Sequence, residues 1–424
     1  MRNGATVVLA FALSLSACGR AGFSPETNDP GSSTPGNTTP TPAPSSTPSS
    51  SVSGLDPSFG SMGRAQATSG SANRAAVDAA GRLLIAGEQP VGATTRATVI
   101  AFLHAGAVDN TFGTNGLASV SFGTGNSWAN AVLPVGATIW MGGGNDGHQG
   151  NTHAVLASVS SNGSGPAVLD LNGSNASSEV MALAASASGF YVAINETVSP
   201  KQQSLAVERR DSLGALDPTF GTLGRATIAF GDVSLDLEDM AVTADGGVVL
   251  AATADDVATV LRLDVNGTPV GGNFPFTWSP SGDVRVLSDG ISVAANGEIL
   301  LSGERDDGQA FVLKLGNDGS LDPAFAATSL DFGSDADYAS RAIELADGTV
   351  LVGATGSALG VLRLDAVARP VATWGTNGLI PLPFDAAMHA QQGSDLVADG
   401  MGGYLLVGTD KMSPDAFIAG RYLP

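Results

Sequence analysis

"LDPTFGTLGRATIAFG" occupies Leu216–Gly231, and the chain writes it again in altered form. "LDPSFGSMGRA" begins at Leu55, "VDNTFGTNGLASVSFG" at Val108 and "LDPAFAATSLDFG" at Leu321. With the aromatic as a ruler, the phrase recurs at Phe59, Phe112, Phe220, Phe325 and, in "VATWGTNG", Trp374. Degenerate copies at Leu169 and Phe274 fill the two double gaps, so the steps are 53, 57, 51, 54, 51 and 49 residues. The 50 residues after Trp374 make one more period. A fixed period near 50 residues is the mark of a propeller or solenoid and overrides a domain count from length.

Each unit has the same interior. Around the fourth copy stand "ATIAF", "DMAVTADGGVVLAAT" and "VATVLRLD", three apolar, β-branched runs, the middle one folding back at Asp245-Gly246. Such dipeptides favour hairpins because two-residue turns need positive φ. Equivalent turns fall at Ala80-Gly81, Val135-Gly136, Ser188-Gly189, Asn296-Gly297, Asp347-Gly348 and Gly402-Gly403. No segment keeps a helical period over ten residues. Four strands per unit and seven units predict an all-β, seven-bladed β-propeller over residues 55–424. The chain enters with the phrase and a strand, Arg64–Thr68, and leaves with the strand that elsewhere precedes that phrase, Ala416–Leu423. Pairing these two N-terminal and C-terminal strands would close the ring and hide two open edges.

The same residues resemble the delta-60 repeats of exported bacterial proteins. "FVLKLGNDGSLDPAF" (Phe311–Phe325) matches that pattern almost throughout, and "AVTADGGVVLAA" and "IELADGTVLVGA" match its hairpin. The resemblance covers about residues 55 to 424 and implies a propeller-like fold. It carries no catalytic residues.

The N-terminus reads as a targeting segment. "ATVVLAFALSL" (Ala5–Leu15) follows a basic start and is too short to span a bilayer as a helix. It runs into "LSAC", ending at Cys18, the chain's one cysteine. This resembles the lipobox of bacterial lipoproteins. It predicts a signal peptide over 1–17, lipidation of Cys18 and anchorage in a membrane, each buried CH₂ of the acyl chains adding about 0.8 kcal/mol. Gly19 after the cysteine points to the outer membrane. Residues 18–54, almost wholly Pro, Ser, Thr and Gly from Asn28, form a tether that cannot bury enough apolar surface to fold. Its r.m.s. span is on the order of 30 Å. Nothing beyond it can form a disulfide.

Within the repeat, Asp56, Asp217 and Asp322 precede Pro and fit turns in which the carboxylate accepts from nearby backbone N–H groups. The aromatic of each phrase is expected to wedge between blades. Arg209, Arg262, Lys314, Arg363 and Arg421 share one strand position, and Asp217 and Asp322 lie eight residues after Arg209 and Lys314. A recurrent cation–Asp staple is therefore expected.

Composition narrows function. Hydrophobic residues at 43% allow a sizeable core; 6% aromatics and 56 glycines suit short strands. A net charge of −21 excludes a nucleic-acid partner of the usual basic kind. His148 and His153 fall in one loop without metal spacing, and His104 and His389 stand alone. No catalytic motif stands in its required context. Two acidic stretches, Asp232–Asp239 and Asp331–Tyr338, are expected in equivalent loops. Asp232, Asp236, Asp239, Asp335 and Asp337 there are the candidate calcium ligands, although neither stretch has EF-hand spacing.

The candidate innermost strands read "RAAVD", "WANAVL", "EVMALA", "DMAVT", "GISVA", "RAIEL" and "SDLVA", small and apolar with few carboxylates. Propeller enzymes bring polar residues to the channel, so this pattern favours a non-enzymatic, monomeric module that binds a protein or glycan. A propeller enzyme, a metal-dependent hydrolase or lyase, is the alternative.

Overall fold

The third strand of a unit and its outermost strand lie side by side, with the phrase as the turn between them except where it is drawn into the outer strand, as in Leu321–Leu330. Leu205 pairs with Ile228 and Val207 with Ala226 across "LDPTFGTLG". The computed structural model that gives this register describes residues 54–148, 151–171, 177–199, 202–229, 234–280, 286–332, 337–356, 359–382, 391–411 and 415–424. The expected signal peptide, Cys18 and the tether up to residue 53 lie outside the described residues.

All regular structure among the described residues is β, in antiparallel sheets arranged as a β-propeller. One sheet runs Ser71–Val77, Leu83–Val91, Thr94–Phe102 and Leu117–Val120 in chain order, from innermost to outermost strand. Three further sheets repeat that order over residues 127–170, 177–229 and 235–278. One eight-stranded sheet contains two such runs, 286–330 and 338–381, joined through the single pair Glu304↔Tyr338. The last sheet combines Gln391–Ala398, Tyr404–Asp410 and Ala416–Leu423 with N-terminal residues.

That last sheet closes the ring. Arg64–Thr68 lies antiparallel to Ala416–Leu423, from Arg64↔Gly420 to Thr68↔Ala416. Gly54–Leu55 continues along the same edge opposite Leu423 and Tyr422. The innermost strands, starting at Ser71–Val77, each lie against the next, and Gln391–Ala398 lies against Ser71–Val77 again.

The hairpins fall where the glycines predict, with one correction. The turn at Asp245-Gly246 is not a two-residue loop with two positive φ angles. Only Gly246 has φ +82°, and the Thr243 N–H donates to the Gly247 carbonyl at 2.9 Å across a longer turn. Asp245 holds the turn with its side chain, accepting from the Thr243 hydroxyl at 2.5 Å.

The phrase residues act between sheets. Phe59, Phe112, Phe220, Phe274, Phe325 and Trp374 are all buried. Phe220 sits against Gly267 in the turn of the following sheet, where an added Cβ would lie 3.0 Å from the ring. Beside it the Gly221 N–H donates to the Asn266 carbonyl at 2.7 Å, and Gly113 donates likewise to Asn162. A cation lies over each aromatic, with Arg209 5.2 Å from the Phe220 centroid and Lys314 5.0 Å from Phe325. Such contacts add about 0.5–1 kcal/mol each where exposed and more where dry.

Two units fill this slot from unexpected positions. Leu169 is exposed at 42%, so the copy assigned to it holds no wedge. Trp140, from the strand Thr138–His148, takes the place, packing on Gly214 and stacking at 5.0 Å on Phe190. Its indole N–H has no hydrogen-bond partner among the described residues, the cost of an indole in a slot shaped for phenyl. In the first unit Ala101 occupies the position that is Arg262 elsewhere, and Arg82, in the turn just before the strand Leu83–Val91, supplies the cation over Phe112.

The staple is partly as expected. Arg209 Nε donates to Asp217 at 2.9 Å, and Arg421 Nε to Asp56 at 2.7 Å. Arg262 and Arg363 pair instead with the hairpin aspartates Asp245 and Asp347. Lys314 pairs with Glu344 and Glu298, not with Asp322, whose carboxylate caps the Ala324 N–H. The Thr219 hydroxyl, its backbone N–H and Arg209 hold the Asp217 carboxyl below the usual range.

Candidate functional site in the central channel

Every innermost strand carries a β-bulge at the same place. The register slips at Asn73, Asn130, Met181, Glu238, Asp289, Ser340–Arg341 and Ser394. A bulge sets two residues against one on the partner strand and re-aims a side chain. The positions recur 51 to 57 residues apart, so the bulge belongs to the repeat.

Residues at or just after four of the bulges form an ion-pair network across the axis. Arg341 Nη2 donates to Asp239 at 2.6 Å, and its Nε lies 3.1 Å from Asp395. Arg74 Nη1 lies 3.5 Å from Asp239 and 4.0 Å from Asp395, while its Nη2 donates to the Glu238 carbonyl at 3.1 Å. The carboxylates are also fixed by backbone: Ile291 N–H donates to Asp239, and Ala75 N–H to Asp395. Burial pushes the Asp395 carboxyl up, against the pull of Arg341 and Arg74. Four side chains from four separate inner strands thus tie the centre together.

The bulged residues surround a cavity of about 600 Å³ that shares Arg74 with this network. Asn73, Asn130, Met181, Glu238, Ser340 and Ser394 line it, with Tyr338, Glu88, Glu304 and Lys411 among the others. The volume falls in the range of small-molecule sites, although the lining is far more polar than usual. The Asn130 amide donates to Glu179 at 2.6 Å and to the Val180 carbonyl at 3.0 Å, and the Trp128 indole N–H donates to the same Glu179 oxygen. The Glu238 carboxyl is pushed up to about 7, first by burial and then by Asp236, with Arg74 opposing. Burial raises Glu304 as well.

The expectation of an apolar channel is therefore corrected. Its strands were the right ones, and five of the seven carry the decisive residues: Arg74, Glu179, Asp239, Arg341 and Asp395. Plain alternation sends such residues to either face, whereas the bulge turns two in succession to the axis. Alignment of the units on their hairpin glycines would have shown a polar column at that offset.

The expected calcium ligands do not gather. Asp232 and Asp335 lie outside the described residues. Leu235–Val242 is an innermost strand and not a loop, so Asp236 and Asp239 belong to it. Asp239 is held by Arg341 and Arg74; Asp337 is buried and accepts the Phe332 N–H at 2.5 Å. Among the described residues no three His, Cys, Asp or Glu form a group that could hold a metal. His148 and His153 are on neighbouring strands and not in a loop, with Asn145 opposite His153. His153 Nδ1 lies 3.1 Å from Asp170, and His104 Nε2 lies 2.8 Å from Arg421. His389 lies outside the described residues.

No protein-family model matches the chain, and no curated protein matches it. Solved structures do. A polysaccharide lyase superposes with TM-score 0.51 at 10% identity, over 83% of this chain and 90% of that one. The periplasmic gluconolactonase of Pseudomonas aeruginosa gives TM-score 0.49 at 17% identity, over 72% and 85%. The GH43 endo-arabinanase of Bacillus licheniformis gives 0.36 at 13%, over 69% and 92%. At these identities the likeness concerns the fold.

Proposed function

We propose that this chain is a lipoprotein of the bacterial cell envelope, anchored through Cys18 in the outer membrane. Its seven-bladed propeller of delta-60-type repeats is a binding module that takes a polar group of a protein or glycan ligand into the central cavity. The count of seven is supported by one bulged inner hairpin per repeat period, and by the lone Glu304↔Tyr338 pair that joins two four-stranded runs. The observation that carries the binding reading is the set of bulged residues, five polar and Met181, that line a cavity of about 600 Å³.

Met181 tests it. Its side chain lines the cavity and is partly buried against the hydrophobic cluster that includes Ala182 and Leu237, so Met181→Trp adds its extra bulk on the cavity side. Thermal-shift screening of the protein against envelope glycans and peptides is expected to give at least one ligand. Met181→Trp should abolish that ligand's shift while its own melting temperature stays within a few degrees of the parent. Equal shifts in parent and variant would place binding elsewhere. The anchor has a separate test: Cys18→Ser is expected to remove all incorporation of labelled fatty acid, and retained label would refute lipidation there.

A hydrolase or lyase is the second reading. Glu238 favours it, since a carboxyl near 7 inside a cavity can both give and take a proton at neutral pH.

A further inference from the structure

The turns of the repeat lie at two ends of each sheet. The hairpin between first and second strands shares one end with the phrase between third and fourth, as Val77↔Leu83 and Leu83↔Phe102 show for the first sheet. The four most exposed large apolar side chains among the described residues all stand in turns at this end: Met62, Leu213, Leu223 and Met401. Each is at least 69% exposed, and no other large apolar side chain among the described residues exceeds 46%.

Each of the four departs from the other units at its position. Met62 and Leu223 take φ +54°, a left-handed backbone at which the same phrase places Asn115 and Asn377 in two other units. Asn adopts that conformation readily, and a bulky apolar residue does not. Leu213 precedes the positive-φ Gly214, where Asn162, Asn266 and Asp318 precede Gly163, Gly267 and Gly319. Met401 precedes Gly402 as Asp245, Asn296 and Asp347 precede their hairpin glycines. An exposed apolar side chain adds little to a core, and at φ +54° it costs stability.

We infer that this face docks the propeller on a lipid bilayer, an inference that rests on the reading of the chain as an envelope lipoprotein. The four side chains enter the interfacial region of the bilayer, where apolar groups bind in proportion to the area they bury. Two observations choose this partner. Leu213 and Leu223 belong to the sheet over 177–229, and Met62 and Met401 to the closing sheet, with two sheet runs between them on one side of the ring and three on the other. A plane reaches both pairs at once, whereas a peptide or a small molecule does not. The chain also enters the ring at this end. Gly54 lies opposite Leu423, while Thr68 pairs with Ala416 at the far end of that strand. Residues 1–53, with the expected anchor at Cys18, thus join the ring on the docking face. A net charge of −21 disfavours anionic lipid, so the bilayer is zwitterionic.

Docking in this way leaves the central cavity free. Its lining residues Ser71, Glu88, Thr409 and Lys411 stand at the other end of their sheets, where Ser71 pairs with Glu88 and Asp410 with Ala416. The cavity therefore lies toward the side turned away from the bilayer.

Fluorescence quenching on the full chain tests this with phosphatidylcholine vesicles that carry a nitroxide on the acyl chain. Cys18→Ser leaves no native thiol, so one introduced cysteine takes a bimane label and the result does not depend on lipidation. Labels at Leu213→Cys and Met401→Cys should both be quenched. A label at Ala93→Cys, in the turn at the opposite end of the first sheet, should not be. Met62→Asn with Leu223→Asn should lower the ratio of docked to free chain at least about tenfold. The same pair should keep or raise the melting temperature, because Asn suits the left-handed backbone. A merely structural role would lower the melting temperature and leave the quenching unchanged. The inference is overturned if either label at the phrase end escapes quenching, if Ala93→Cys is quenched to the same extent, or if the Asn variant docks like the parent. Quenching that appears only with added anionic lipid would assign charge in place of apolar insertion and overturn it as well. Absence of fatty-acid label at Cys18 beside intact quenching would refute the anchor and leave the docking face standing.

Discussion

Deletion of residues 54–69 is expected to lower the melting temperature of the ring by at least about 10 °C, or to leave no soluble protein. The segment removes Arg64–Thr68 from the outer edge of Ala416–Leu423 and exposes a row of unpaired backbone groups. It also removes Phe59, which packs with Leu83, Ile85, Phe102, Leu405 and Phe417 across the junction of the first and last sheets. Loss of one such ring alone costs about 3–5 kcal/mol, and each kcal/mol is a few degrees in a chain of this size. The same cut strips Arg421 of Asp56. Deletion of 19–53 is the control and is expected to leave the melting curve unchanged. A 54–69 deletion that melts like the parent would mean the edge pairing does not hold the ring shut.

Arg341→Met should cost about 3–5 kcal/mol of unfolding free energy, because it strands two buried carboxylates. Asp239 and Asp395 are 2% and 0% exposed, and without Arg341 the one cation left to them among the described residues is Arg74, at 3.5 and 4.0 Å, beside their backbone N–H donors. Denaturant titration reads the loss, and its pH dependence checks the cause. A carboxyl raised in the folded state is relieved by protonation, so the gap between variant and parent should narrow as pH falls through the carboxylate range. Asp395 is raised even with Arg341 present, for burial outweighs both arginines. A loss under about 1 kcal/mol would make the network a solvated surface pairing.

Local features of the fold were legible. Hairpin glycines, apolar runs and the Asp-x-x-Phe-Gly phrase each act within a few residues, and Asp217 caps Thr219 as its spacing implies. The closing strands were legible because one unit lacked an outer strand and the N-terminus had one to spare. What position in the repeat could not show was substitution across strands. Trp140 replaces the aromatic missing at Leu169, and Arg82 replaces the cation missing at Ala101, each from a different place in its unit. The channel was misread for a related reason. A strand taken as plain alternation puts Glu238 and Asp239 on opposite faces, and a bulge between Leu237 and Asp239 removes that opposition. The metal reading weighed carboxylate density without the arginines that face it, which come from units 100 or more residues away, as Arg341 does to Asp239.

The closing pair also sets a timetable. Arg64–Thr68 is the first strand of the ring to be synthesised after Gly54–Leu55, and its partner Ala416–Leu423 is the last. Every inner hairpin can form as it emerges, from neighbours in sequence, but closure must bridge nearly the whole chain, the slowest kind of contact to find. Until that strand emerges, the first sheet waits with a bare flank and Phe59 without Phe417. A chain truncated by its final strand would therefore lose the closing contact as well as eight residues, and would reach the cell's quality control as an open arc with two adhesive ends.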